Sequence, residues 1–292
     1  MPRSRPSRPS PRRSRRALIA ATLVLVLAAG TYVAVRSLVP VLGPALTGSG
    51  CQATAPHQSV LLDTQQASIA ATIAGVAHQQ SMPRAAVTIA YATAMQESKL
   101  HNLDYGDMDS VGVFQQRPSQ GWGPTRKLED PVYATTKFFR ALKAVRGYRT
   151  MPVYQAAQDV QRSADGSAYI QYEQMAMDMT GAFTGQRGHA VYCWSAAADP
   201  RRADLSGVAA GLAGTFGAAT AKDATIGPRR TMLVQVTHPK FGWEVATWLV
   251  THATSYGIHQ VRFSGYQWRA AAGNSGWIRD AGAPPAGSLE LS

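Results

Sequence analysis

The chain has 292 residues, 45% of them apolar, enough to bury one large core or two modest ones. Its formal net charge is +12, but residues 1–36 hold eight arginines and no acid, leaving 21 basic against 17 acidic residues in the rest. The basic balance therefore belongs mainly to the N-terminal tail, and a nucleic-acid partner loses most of its support.

Arg12-Arg13-Ser14-Arg15-Arg16 closes a basic tail (1–16), and Ala17 to Val35 follow without a charge. At about 1.5 Å rise per residue, that run is long enough to cross a hydrocarbon core of about 30 Å. The arginines predict a cytoplasmic N-terminus, a single transmembrane helix over 17–36, and an extracellular remainder. A cleaved signal peptide ending near Ala28-Ala29-Gly30 is the competing reading, and the length of the run favours a retained anchor. With one span there is no second hydrophobic segment from which to build a transport pathway.

Residues 37–56, rich in Gly, Pro and Thr, read as a stalk. The two cysteines, Cys51 and Cys193, bracket the region that follows. An even count in an oxidising compartment predicts a disulfide between them, against the alternative of two free buried thiols. The seven histidines are scattered, with no His-Glu-x-x-His or Cys-x-x-Cys spacing, so neither metal nor cofactor is expected.

Asp63 with Gln66 forms a capping-box pattern ahead of Ile69, Ile73, Val76 and Ala77, predicting a helix to about Gln80. Pro83 opens a second helix where its missing N–H costs little. There Ala86, Val87, Ile89, Ala90, Thr93 and Ala94 keep one side apolar at helical spacing, and Glu97 lies at its end. A carboxyl against an apolar wall is harder to ionise and can hold a proton near neutral pH, as the acid of a glycosidase must. The bland alternative is a helix-end Glu facing water. Asn102 to Ser110 then carries Asp104, Asp107 and Asp109, which read as one wall of a sugar cleft, a solvated turn, or a weak Ca²⁺ loop disfavoured by its spacing. The amides of Gln115 and Gln116 suit the N-acetyl and hydroxyl groups of a glycan. Trp122, between two glycines, is equally a sugar-stacking residue and a core or lid residue.

Glu97-Ser98 together with Ser110-Val111-Gly112-Val113-Phe114-Gln115 resembles the signature of the lytic transglycosylases of the lysozyme-like superfamily. The stretch Gln96-Glu97-Ser98-Lys99-Leu100 through Gly123 looks most like a group of secreted or membrane-anchored actinobacterial cell-wall proteins. The resemblance covers roughly residues 51–195. It implies a mainly α lysozyme-like domain over 57–195 with Glu97 catalytic and Ser110 and Gln115 orienting substrate; Gln161 and Tyr169 are further candidates for the cleft. The usual Ala-Tyr-Asn of better-studied members is replaced here by Asp159-Val160-Gln161-Arg162-Ser163.

Asp130-Pro131 starts a helix with Tyr133, Phe138, Phe139 and Leu142 as its buried face, Met151-Pro152 another through Gln161, and Gly166 to Ala182 one more. Residues 196–230, dominated by Ala and Gly, read as a linker holding one modest helix through Leu205, Val208, Leu212 and Phe216. Thr231 to Val236 is β-prone, Phe241 to Tyr256 helical with Gly257 as its stop, and Gln260 to Phe263 alternates as a strand. These predict a small α/β (α+β) C-terminal domain over 231–292, similar to one appended to actinobacterial envelope proteins. There Trp243, Trp268 and Trp277 fill a core in preference to binding glycan.

The expectation is an exported, membrane-anchored enzyme cutting the bond between N-acetylmuramic acid and N-acetylglucosamine of peptidoglycan. The resemblance implies a lyase, in which one Glu serves as acid and then as base on the substrate's own 6-hydroxyl. A second carboxylate among Asp104, Asp107 and Asp109 would permit hydrolysis instead. The alternative is an inactive wall-binding or envelope interaction protein that keeps the cleft.

Overall fold

The structure, a computed structural model, describes residues 48–163, 165–195, 201–218, 220, 224–226 and 231–292. The basic tail, the expected membrane span and most of the stalk lie outside the described residues; among those described, no helix is long and apolar enough to cross a membrane. The architecture is mixed: a mainly helical part, followed by an antiparallel sheet with its own helix.

Strands β1 (Gly50–Ala53) and β2 (Val60–Leu62) lead into helix α1 (Thr64–Gln79). The Asp63 carboxylate accepts from the Gln66 backbone while the Gln66 side chain accepts from the Asp63 backbone, which is the reciprocal cap the sequence predicts. Helix α2 (Arg84–Glu97) follows, and every residue from Ala86 to Met95 is buried. The sequence spacing predicts an amphipathic helix; the small Ala residues instead let neighbours close in on all sides. Its polar groups are satisfied internally. Thr93 donates to the Ile89 carbonyl (2.8 Å), Thr88 shares a hydrogen bond with Thr180 (2.9 Å), and Tyr91 donates to the Ala70 carbonyl (2.8 Å).

Around α2 stand α1, α4 (Pro131–Ala144), α5 (Val153–Gln161) and α6 (Glu173–Phe183), with the four-residue α3 (Thr125–Leu128) against α4. The expected continuous helix from Gly166 is split: Ser167–Tyr172 winds as a tighter 3-10 turn before α6 begins. That winding turns Tyr169 inward, leaving it 2% exposed. Strand β3 (Val191–Trp194) returns to pair antiparallel with β1, placing Cys51 opposite Cys193, and the disulfide between them is present. The end of the expected stalk is thus a sheet strand.

Beyond β3, helix α7 (Leu205–Phe216), capped by Asp204, packs against α1. The second sheet runs β4 (Ala224–Ile226), β5 (Met232–Gln235), β9 (Ser288–Leu291), β6 (Gln260–Phe263), β7 (Tyr266–Arg269), β8 (Ile278–Arg279), all antiparallel. Helix α8 (Pro239–Thr251) covers it and also packs on α1; α9 (Ala253–Tyr256) ends at Gly257 in the left-handed conformation. Gly43–Ser292 form one compact unit. The join is specific. The Trp268 indole donates to the Cys193 carbonyl (2.9 Å), Trp277 to the Val191 carbonyl (2.7 Å), and His78 of α1 meets the buried Glu244 of α8 at 3.0 Å. Trp243 and Trp268 are buried and Trp277 is half-buried against them, so the three indoles are core and not an exposed glycan platform.

Candidate active site

Glu97 sits where the buried helix α2 emerges, with Gln96 and Glu97 the first half-exposed positions after ten buried ones. The turn beyond is held from several sides. Ser98 donates to the Val113 carbonyl (2.7 Å), and Gln66 reaches from α1 to donate to the Lys99 carbonyl (2.8 Å). Lys99 and Leu100 both take positive φ, 56° and 59°, and Leu100 is fully buried. Two successive side-chain-bearing residues in that region cost on the order of 1–3 kcal/mol each, and such strain persists only where surrounding contacts impose it.

Groups from α5 and the 3-10 turn meet the carboxyl. The Tyr169 hydroxyl donates to Glu97 Oε1 at 2.8 Å, and Ser163 lies 3.5 Å from the same hydroxyl. Gln161, the last residue of α5, donates through Nε2 to the Phe114 carbonyl (2.7 Å), fixing which way its amide faces. Its Oε1 is buried with no partner among the described residues. Lys99 donates to the Tyr172 hydroxyl and lies 4.5 Å above that ring.

Burial drives the Glu97 carboxyl above its ordinary range; the Tyr169 hydroxyl, the Gln161 amide and the Lys99 ammonium pull against it without cancelling it. Among the described residues none of the groups acting on Glu97 is a second carboxylate. Burial and the adjoining Glu97 charge push the Tyr169 phenol well above its usual range, so it stays a donor at any working pH.

The other residues singled out by sequence lie elsewhere. Asp109 accepts from Arg117 Nε (2.9 Å) and from the Ser119 backbone (2.7 Å), which hold its carboxyl down to about 2: it braces the loop as a fixed anion. Asp104 and Asp107 are exposed. Gln115, at positive φ, donates to the carbonyls of Tyr105 (3.2 Å) and Gly112 (3.3 Å), lacing the Asp-rich loop to the turn. Gln116 is buried and donates to the Ala134 carbonyl, tying the turn to α4, and Ser110 is buried beneath the same loop. Gly112 shows why that turn has its sequence: φ is +77° and a Cβ would run into the Leu128 carbonyl. Trp122 is half-buried and lines an open groove with Lys137, Arg140 and Arg162.

Of the expected cleft residues, the structure therefore brings together Glu97, Gln161 and Tyr169, and adds Lys99 and Tyr172. Lys99 carried a usable signal, a cation two positions beyond the acid; Tyr172 carried none apart from the fold. Among the described residues no cluster of three His, Cys, Asp or Glu side chains could hold a metal ion. No family model and no curated protein matches the chain.

Proposed function

We propose that the chain is an exported peptidoglycan lytic transglycosylase in which Glu97 is the only acid and base. The observation that carries this reading is the Glu97 carboxyl itself, half-buried, raised above its ordinary range, and accepting the Tyr169 hydroxyl at Oε1. With Oε1 occupied by the Tyr169 O–H, the acid proton belongs on Oε2. In the reaction Oε2–H protonates the oxygen linking N-acetylmuramic acid to N-acetylglucosamine, and the glycosidic bond breaks. The carboxylate left behind is stabilised by Tyr169 and Lys99. It then takes the proton from the muramic acid 6-hydroxyl as that oxygen closes on C1, which gives a 1,6-anhydro end and restores Glu97. One proton leaves the residue and one returns. Gln161, locked by Phe114, keeps its amide beside the Glu97 carboxyl and supports the carboxylate form.

The lysozyme-like assignment rests on the Glu97-Ser98 and Ser110–Gln115 motifs and on a buried helix delivering the acid. Hydrolysis ordinarily uses a second carboxylate near the first; Asp109 is committed to Arg117 and Ser119, and Asp104 and Asp107 are exposed. The disulfide supports export into an oxidising compartment, and the apolar run after the arginines supports a membrane anchor.

The test is digestion of purified sacculi by the full-length protein, with released muropeptides identified by mass. Soluble anhydro-muropeptides, absent with Glu97→Gln, are expected. Sedimentation of the protein with sacculi and no release would leave only the wall-binding reading.

A further inference from the structure

We infer that the groove between Trp122 and helices α4 and α5 binds the carboxylate-rich stem peptide carried by the glycan strand. This rests on the lyase reading of Glu97 and names which part of the substrate the rest of the site takes.

The first observation is charge. Residues 117–162 contain nine Lys or Arg and three acids, a net of +6, whereas the rest of the chain beyond residue 36 holds twelve against fourteen. The excess basic charge of the exported part is thus confined to one segment, and the groove lies in it. Its volume is about 420 Å³, and Lys137, Arg140 and Arg162 line it against one carboxylate, Asp159. Among the described residues none of the three cations is in a salt bridge. Like charges gathered around one concavity repel each other, and an anion seated between them relieves that repulsion. Guanidinium groups suit carboxylates in particular, since two N–H donors match two oxygens.

The second observation is the indole of Trp122, which lines the groove as an apolar surface. The next residue, Gly123, takes φ +139°, and a Cβ there would collide with the Tyr133 hydroxyl. A ligand with carboxylates and methyl groups fits cations beside an indole better than a neutral sugar does.

The third is position. Val160 and Arg162 line the groove, and Gln161 between them is the residue whose amide stands beside the Glu97 carboxyl. Arg162 takes the left-handed conformation (φ 53°, ψ 35°), so the chain turns at this point. The acid and the groove are served by successive residues of one helix end.

The experiment measures binding by the full-length protein carrying Glu97→Gln, so that no cleavage enters the readout. The probes are soluble glycan strands with their stem peptides, the same strands stripped of peptide by an amidase, and strands freed of phosphodiester-linked polymers by hydrofluoric acid. Stripping the peptide is expected to weaken binding about tenfold, with the acid treatment leaving it unchanged. Lys137→Gln with Arg140→Gln is expected to give the same loss on peptide-bearing strands and none on stripped ones, and Lys137→Arg with Arg140→Lys to restore affinity. Arg140→Glu alone, at an exposed position, repeats the test should the double variant fold poorly. Equal affinity for stripped and intact strands, a loss caused by removal of the phosphodiester polymers, or a variant that weakens all three probes alike would overturn the inference. Cleavage of sacculi with no such preference defeats the groove and spares the lyase; peptide-dependent binding with no cleavage does the reverse.

Discussion

The Tyr169 hydroxyl and the Glu97 carboxyl, 72 residues apart in sequence, meet at 2.8 Å on Oε1. Tyr169 donates to Oε1 and steadies the carboxylate form. Tyr169→Phe removes that donor, so the proton is held more tightly. The high-pH limb of kcat/KM should move to higher pH, and kcat should fall about tenfold as the base step loses its positioned carboxylate. An unmoved limb in the pH profile of the variant would detach Tyr169 from the acid.

Glu97 also has a measurable effect on stability. Its folded pKa lies above the ordinary 4.5, so between the two values the native state keeps a proton the unfolded state gives up. The group therefore favours folding at low pH, and that contribution is lost as pH rises through the folded value. Glu97→Gln should melt higher than wild type at neutral pH, with the gap closing as pH falls below the ordinary 4.5. Thermal scans of both proteins across pH 4 to 8 check it.

His252 works in the opposite sense. It stacks on Trp248 at 4.1 Å, and burial holds its pKa down to about 4 despite a hydrogen bond to the Trp248 carbonyl. The unfolded chain binds a proton there near pH 6.5 and the native state does not, so stability present above 6.5 is lost as pH falls toward 4. His252→Gln should flatten this acid loss, worth about 1–2 kcal/mol once its partly exposed edge is allowed for. Urea midpoints at pH 7 and pH 5 give the comparison.

The Cys51–Cys193 disulfide closes a loop with a sequence separation of 142 and ties the first strand to the one that carries the carbonyls accepting from Trp268 and Trp277. In the chain-entropy account such a loop contributes about 4–5 kcal/mol. Reduction, or Cys193→Ser, should lower the melting temperature by about 10 °C. A shift under two degrees would show that the antiparallel pairing of β1 and β3 suffices by itself.

The parts of this fold legible in the sequence are those governed by local chemistry. Asp63 with Gln66 and Asp130 with Pro131 cap α1 and α4 because cap bonds span only two or three residues. The burial of α2 on every face from Ala86 to Met95 was not legible, since alanine fits an exposed face as readily as a crowded core. Strands β1, β2 and β3 are three or four residues long and pair across the length of the helical part, so no period-two pattern marks them. At the site, Glu97, Gln161 and Tyr169 converge, but Ser110, Gln115, Gln116 and Asp109 are spent on loops and turns. An amide or carboxylate that can hold a sugar can equally satisfy a backbone group, and only three-dimensional neighbours decide between the two.

The most direct measurement is digestion of sacculi by the full-length protein in water enriched in ¹⁸O, with mass analysis of the new muramic acid ends. A single carboxylate that returns its proton through the substrate's 6-hydroxyl admits no water, so the ends should be anhydro and carry no label. Labelled reducing ends would mean that water attacks C1, and the account of Glu97 as sole acid and base would be wrong.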